Sequence, residues 1–116
     1  MDPRPLIQFD GHSVVTLPAE IDLVNAEQIT GQLADLLTFA SCNRLILDLS
    51  KTTFLSGSGV RGLAEAFRQA RRRGVSMRLV SQRRAVKLAL RLSGADDLLP
   101  VFDSVDHALG QHAHAG

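Results

Sequence analysis

The chain has 116 residues with a hydrophobic fraction of 45%, no Trp or Tyr and five Phe, enough for one domain with a core built mainly from Leu, Val, Ile and Ala. No run approaches the ~18 apolar residues that span a bilayer, and "MDPRPLIQFDG" lacks the pattern of a secretory signal. The single cysteine, Cys42, cannot form an internal disulfide, so a reducing, cytoplasmic setting is expected. The formal net charge of +1 conceals an acidic, basic, acidic order: ten of the thirteen basic residues lie from Arg61 to Arg91, with Glu65 the only acid among them.

In chain order, "PLIQF" and "SVVTLP" are expected to form two strands around an Asp-Gly hairpin signal, "DGH". Pro18 closes the second, and "AEIDLV" is expected to be extended or turning. Ala26, Ile29, Leu33, Leu36, Leu37 and Ala40 recur at helical spacing, and Asn25 with Gln28 resembles a capping box, which predicts a helix starting near Ala26. "RLILDLS" is apolar enough for a buried strand. Val60, Leu63, Ala64 and Phe67 set a second helix that stops at Gly74 behind three arginines. "VSMRLV" is a strand, and "SQRRAVKLALRLSG" a third helix with Ser81 as N-cap and Gly94 as stop. "LLPVF" is a short extended piece, and "DSVDHALGQHA" a terminal helix that frays. The alternation predicts a single α/β domain, a mixed sheet of about four to five strands with about four helices, over residues 1–116, with a core of about 6–109 and a frayed tail at 110–116.

Chemistry centres on "SGSG", residues 56 to 59. Gly57, Gly59 and Gly62 spell G-x-G-x-x-G between a strand and a helix, with Arg83 and Arg84 about 20 residues on, where a dinucleotide-binding protein holds its ribose reader. The seven residues Ser50 to Ser56 make the connection too long for that tight turn. A nucleophile elbow on Ser58 would need glycines two residues either side, where Ser56 and Val60 stand. His112 and His114 read as a polar tail rather than metal ligands, and no carboxylate pair stands out, so an enzyme is not expected. The remaining possibility is a recognition loop at a helix N-terminus, where backbone N–H groups favour anions. Simple capping by Ser58, with Gly59 and Gly62 allowing close packing, accounts for part of it.

"LPAEIDLVNAEQITGQL" followed by "RLILDLSKTTFLSGSGVRGLAEAF" resembles the STAS domain of bacterial anti-sigma factor antagonists, from about Leu6 to Leu109. Members show a G-E-[IL]-D segment and, after a strand, F-[IL]-D-S-[ST]-G-[LV]-x-x-L. The resemblance implies a partner switch: the domain binds a sigma-sequestering serine kinase, frees the sigma factor, and is turned off by phosphorylation that a phosphatase reverses. Asp22 matches the first motif, with Ala19 in place of its Gly. Phe54 and Leu55 match the apolar approach, Ser58 the second hydroxyl and Gly59 the glycine. Ser56 replaces the Asp, and Gly57 replaces the phosphorylated serine. The resemblance thus implies partner binding by Asp22, Leu23, Ser56, Gly57, Ser58, Gly59 and Arg61. Phosphorylation is either absent or displaced to Ser58 or Ser56. No cofactor, metal, DNA or membrane is expected, and the chain is expected to be a monomer or weak dimer. The competing reading is a divergent module that binds a nucleotide, another small anion or a different signalling partner. The Arg-rich stretch from Arg68 to Arg91 is expected to form solvated helix faces, with docking to an acidic protein surface as the alternative; it lacks the interleaved aromatics of a nucleic-acid surface.

Overall fold

The structure, a computed structural model, describes residues 6–9, 12–39 and 43–110. Strands β1 (Leu6–Phe9) and β2 (His12–Thr16) pair antiparallel, with Leu6 opposite Val15 and Phe9 opposite His12. The Asp10-Gly11 hairpin signal, Ala40 of the helical stripe, Cys42 and the tail from 111 onward, with His112 and His114, lie outside the described residues. There follow β3 (Glu20–Ile21), α1 (Leu23–Phe39), β4 (Arg44–Asp48), β5 (Phe54–Leu55), α2 (Gly57–Arg72), β6 (Ser76–Val80), α3 (Arg84–Leu92), a 3-10 turn (Ala95–Asp97), β7 (Val101–Phe102) and α4 (Val105–Gly110). The main sheet runs β1-β2-β4-β6-β7, with β2, β4, β6 and β7 mutually parallel, so the mixed α/β architecture expected from the alternation is present. A second, two-stranded parallel sheet joins β3 to β5.

The apolar run in β4 follows from burial on both faces, as parallel strands require. Leu45 and Leu47 point to the side covered by α1, α2 and α3, where they meet Val15, Leu33, Leu63, Leu79 and Leu90. Ile46, between them, points to the other side and packs with Val14, Val80 and Ala108 under α4. Within α1 the stripe Ala26, Ile29, Leu33 and Leu37 is buried as its spacing predicts, and Gly74 and Gly94 end α2 and α3 at φ of 75° and 79°.

Three helix starts differ from expectation. Helix α1 begins at Leu23 rather than near Ala26, because Asp22 caps it. Its Oδ1 accepts from the N–H groups of Val24 (2.9 Å) and Asn25 (3.0 Å), and Asn25 Oδ1 accepts the Asp22 N–H in return (2.8 Å). Helix α2 is capped by Ser56, not Ser58: Ser56 Oγ accepts from Gly59 N–H at 3.0 Å. Helix α3 starts at Arg84 with Arg83 as N-cap and no side-chain cap bond; Ser81 is buried and its Oγ accepts from Arg83 N–H at 3.1 Å.

Arg44 and Arg78 reach from neighbouring strands to the C-terminal end of α4. Arg44 donates to the carbonyl of Leu109 (3.2 Å) and Arg78 to that of Ala108. These are carbonyls the helix itself leaves unpaired, at the negative end of its dipole. The Arg78 guanidinium also lies 5.2 Å from the centre of the Phe102 ring, which meets His107 edge-on at 5.4 Å. Burial, and then the charge of Arg44, holds the Arg78 pKa below its ordinary value. Arg78→Met keeps the stem and removes the donors, so it is expected to cost about 1–3 kcal/mol. Hydrogen exchange checks this: protection is lost first at residues 105–110, while α2 keeps its own.

Candidate partner-binding site

Two connections zip together beyond the carboxyl ends of the adjacent strands β2 and β4. Leu17 N–H donates to Asp48 O at 3.0 Å, Thr53 N–H to Ala19 O at 2.7 Å and Ser56 N–H to Ile21 O at 2.8 Å. The buried Thr52 hydroxyl donates to Pro18 O at 2.8 Å. Between these bonds Glu20 lies opposite Phe54, and Ile21 opposite Leu55. The seven-residue connection that is too long for a nucleotide turn therefore carries a two-residue strand, β5, that pairs with β3. Asp22 and Ser56 are the first residues beyond the paired strands. Each caps a helix, so α1 and α2 start side by side.

The glycines have separate tasks. A Cβ added to Gly59 would stand 2.7 Å from Ile21 Cγ2 and 2.8 Å from Leu55 Cδ1, and one added to Gly62 would strike the Thr30 hydroxyl. Both glycines let α2 lie close, one on the small sheet and the other on α1. Nothing lies within 4 Å of a Cβ at Gly57, which is exposed at the first position of the helix. All three glycines of the G-x-G-x-x-G spelling belong to α2 itself, instead of forming a turn ahead of it.

The surface around these helix starts is apolar where solvent would favour polar groups. Leu23 is 76% exposed, Val24 90% and Phe54 51%. Ser58, in the first turn of α2, has its Oγ accepting from Arg61 Nη2 at 3.4 Å, whereas the hydroxyl of Ser56 and the carboxylate of Asp22 are engaged as caps. The seven residues expected at the site thus lie at one end of the fold, past the carboxyl ends of β2 and β4: Asp22 and Leu23 at the head of α1, and Ser56, Gly57, Ser58, Gly59 and Arg61 at the head of α2. Gly59 is the exception in kind, since it is buried and acts through packing. Val24 and the outward face of Phe54 were missing from that set. Their signal was present: Leu23 and Val24 fall off the buried stripe of α1, and in β5 Phe54 alternates outward against the inward Leu55. Among the described residues no three His, Cys, Asp or Glu side chains gather as a metal site, and no helix is long and apolar enough to cross a membrane.

A small α/β module that displays adjacent helix starts, with exposed leucine and valine at the head of one and exposed phenylalanine on the strand leading to the other, has the character of a protein-recognition domain. The model of the STAS domain matches residues 5–108, and the chain belongs to the STAS domain family. It is 34% identical over 105 residues to the anti-sigma-F factor antagonist RsfA of Mycobacterium tuberculosis, covering 86% of this chain and 79% of that one. Among solved structures it is similar to an anti-sigma factor antagonist from Mycobacterium paratuberculosis, at 27% identity and a TM-score of 0.84, over 93% of this chain and 91% of the other. The Bacillus cell fate determinant SpoIIAA in its phosphorylated form shares the fold, with a TM-score of 0.69 at 16% identity over 94% and 98% of the two chains.

Proposed function

We propose that this protein is an anti-sigma factor antagonist that binds an anti-sigma factor of the sigma-sequestering kinase type and so frees a sigma factor. The observation that carries the reading is the apolar ring of Leu23, Val24 and Phe54 around the head of α2, in a chain one-third identical to an antagonist over most of its length. Exposed apolar side chains grouped around a polar centre mark a protein interface. Asp22, Ser56 and Gly59 hold the two helix starts in place; Leu23, Gly57, Ser58 and Arg61 face the partner. The test is binding to the cognate anti-sigma factor by calorimetry. Leu23→Ser with Phe54→Ser is expected to weaken affinity by about a hundredfold, the effect of losing two apolar anchors, with little change in melting temperature. A double variant that binds as tightly as the wild type would move the interface elsewhere.

Glycine at position 57 cannot accept a phosphate, and the Ser56 hydroxyl is committed to capping α2. Our reading is a domain that binds its partner but escapes control at the usual position. Incubation with the cognate kinase and ATP is expected to leave residues 56 to 59 unmodified. A phosphate on Ser58 that disappears in Ser58→Ala would reverse this, and Arg61 would then supply its counter-charge. The nucleotide-binding alternative draws less support, because the glycines that suggested it are helical and two of them are spent on packing.

A further inference from the structure

Helix α3 buries Val86 and Leu90 on one side and turns Arg84, Leu88, Arg91 and Leu92 to the other. That spacing, i, i+4, i+7 and i+8, is a single outward stripe. Leu88 is 44% exposed and Leu92 78%, so leucine stands in water on the face opposite the core. Cations surround it. Arg83, Arg84, Lys87 and Arg91 lie along the helix and its cap, and the sole ion pair among them, within the described residues, joins Lys87 to Asp103 at 3.3 Å. The contrast with α2 is informative. There Glu65 lies 3.6 Å from Arg68 and 3.5 Å from Arg72, so the outer stripe supplies its own counter-charge. On α3 it does not, although the helix has exposed leucines to cover. A hollow of ≈ 470 Å³, lined by Gln82, Arg84, Lys87, Leu88 and Arg91, opens on this face.

We propose that the outer face of α3 is a second docking surface, for an acidic amphipathic segment of a protein partner. Its carboxylates would pair with Arg84 and Arg91 while an apolar side chain covers Leu88 and Leu92. Charge complementarity selects this occupant: the stripe has cations without acids, and leucines without a cover. Nine residues with two exposed leucines make a small apolar area for lying in a lipid interface, whereas one helical turn of a partner covers it. The proposal does not depend on the reading of the α2 site, because the two surfaces share no residue.

The probe is a synthetic helical peptide with glutamates and leucines at i, i+4 spacing, titrated into the full-length 15N-labelled protein. The expected result is saturable binding with shifts concentrated at residues 84–92. Arg84→Glu with Arg91→Glu, and separately Leu88→Ser with Leu92→Ser, are each expected to weaken it by about tenfold or more, with circular dichroism unchanged. Shifts centred on residues 54–61, or equal affinity in both double variants, would overturn the proposal. So would two other outcomes: binding of phosphatidylglycerol vesicles without the peptide, which points to a membrane, or concentration-dependent dimerisation that the α3 variants abolish, which points to a second copy of this chain.

Discussion

Replacing Gly57 with serine is expected to give a folded protein that an anti-sigma kinase phosphorylates at position 57 and that then loses about a hundredfold or more of its partner affinity. The position is ready for a side chain. It is exposed, no heavy atom lies within 4 Å of an added Cβ, and its φ is not among the positive values found at Gly74 and Gly94. Serine at the first position of α2 also removes a glycine from a helix, so stability should hold or rise by roughly half a kcal/mol. The phosphate is a different matter. It adds about −1.5 to −2 charges at the head of α2, on the proposed partner surface with exposed Leu23, Val24 and Phe54. An unpaired charge enclosed in an interface costs about 3–5 kcal/mol, hence the hundredfold or greater loss. Gly57→Asp supplies a charge without any kinase. A carboxylate is welcome at a helix N-terminus, so this variant should keep its melting temperature while losing affinity. Mass spectrometry locates the phosphate, and calorimetry reads the affinity before and after. Unchanged binding in both Gly57→Asp and the phosphorylated serine variant would show that the head of α2 is outside the interface.

The sequence shows the main sheet clearly because its signals are local. Parallel strands buried on both faces read as apolar runs, and Gly74 and Gly94 sit where two helices stop with positive φ. Strands β3 and β5 leave almost no local trace, since each has two residues and exists through backbone bonds between distant stretches of chain, from Thr53 N–H to Ala19 O and from Ser56 N–H to Ile21 O. The start of α1 was ambiguous for a specific reason. Asp22 with Asn25 and Asn25 with Gln28 are overlapping capping patterns, and either could begin a helix. The tertiary structure chooses the first, because Asn25 Nδ2 donates to Glu20 O at 2.8 Å and ties that turn to β3. The G-x-G-x-x-G spelling misleads because spacing alone does not say whether glycines serve a ligand or a neighbouring helix. The candidate site residues were named by resemblance. The apolar ring that gives them a use needed the burial of Leu55 and Ala26 to be known, so that Phe54 and Val24 could be seen to face outward.

Gly59→Ala is expected to destabilise the protein by about 1–3 kcal/mol, although it adds a single methyl to a helix that alanine ordinarily favours. The methyl would enter space held by Ile21 Cγ2 and Leu55 Cδ1, both on nearly buried side chains of the small sheet. Neither can swing away into solvent, so β3 and β5 must move relative to α2. At about 4 °C per kcal/mol for a chain of this length, the melting temperature should fall by about 4–12 °C. Gly57→Ala, two residues earlier, has open space around it and should stay within about 0.5 kcal/mol of the wild type. The contrast separates packing from loss of glycine flexibility, which both substitutions share. Ile21→Leu removes the Cγ2 methyl, and in the Gly59→Ala background it should recover part of the loss, giving a non-additive double-mutant cycle. The same shift reaches the partner surface, because β3 leads directly into Leu23 and β5 carries Phe54. Affinity for the anti-sigma factor should therefore drop in Gly59→Ala well below its melting temperature and return with Ile21→Leu. If stability falls and affinity does not, the apolar ring is held by α1 and α2 alone, and the small sheet is only their support.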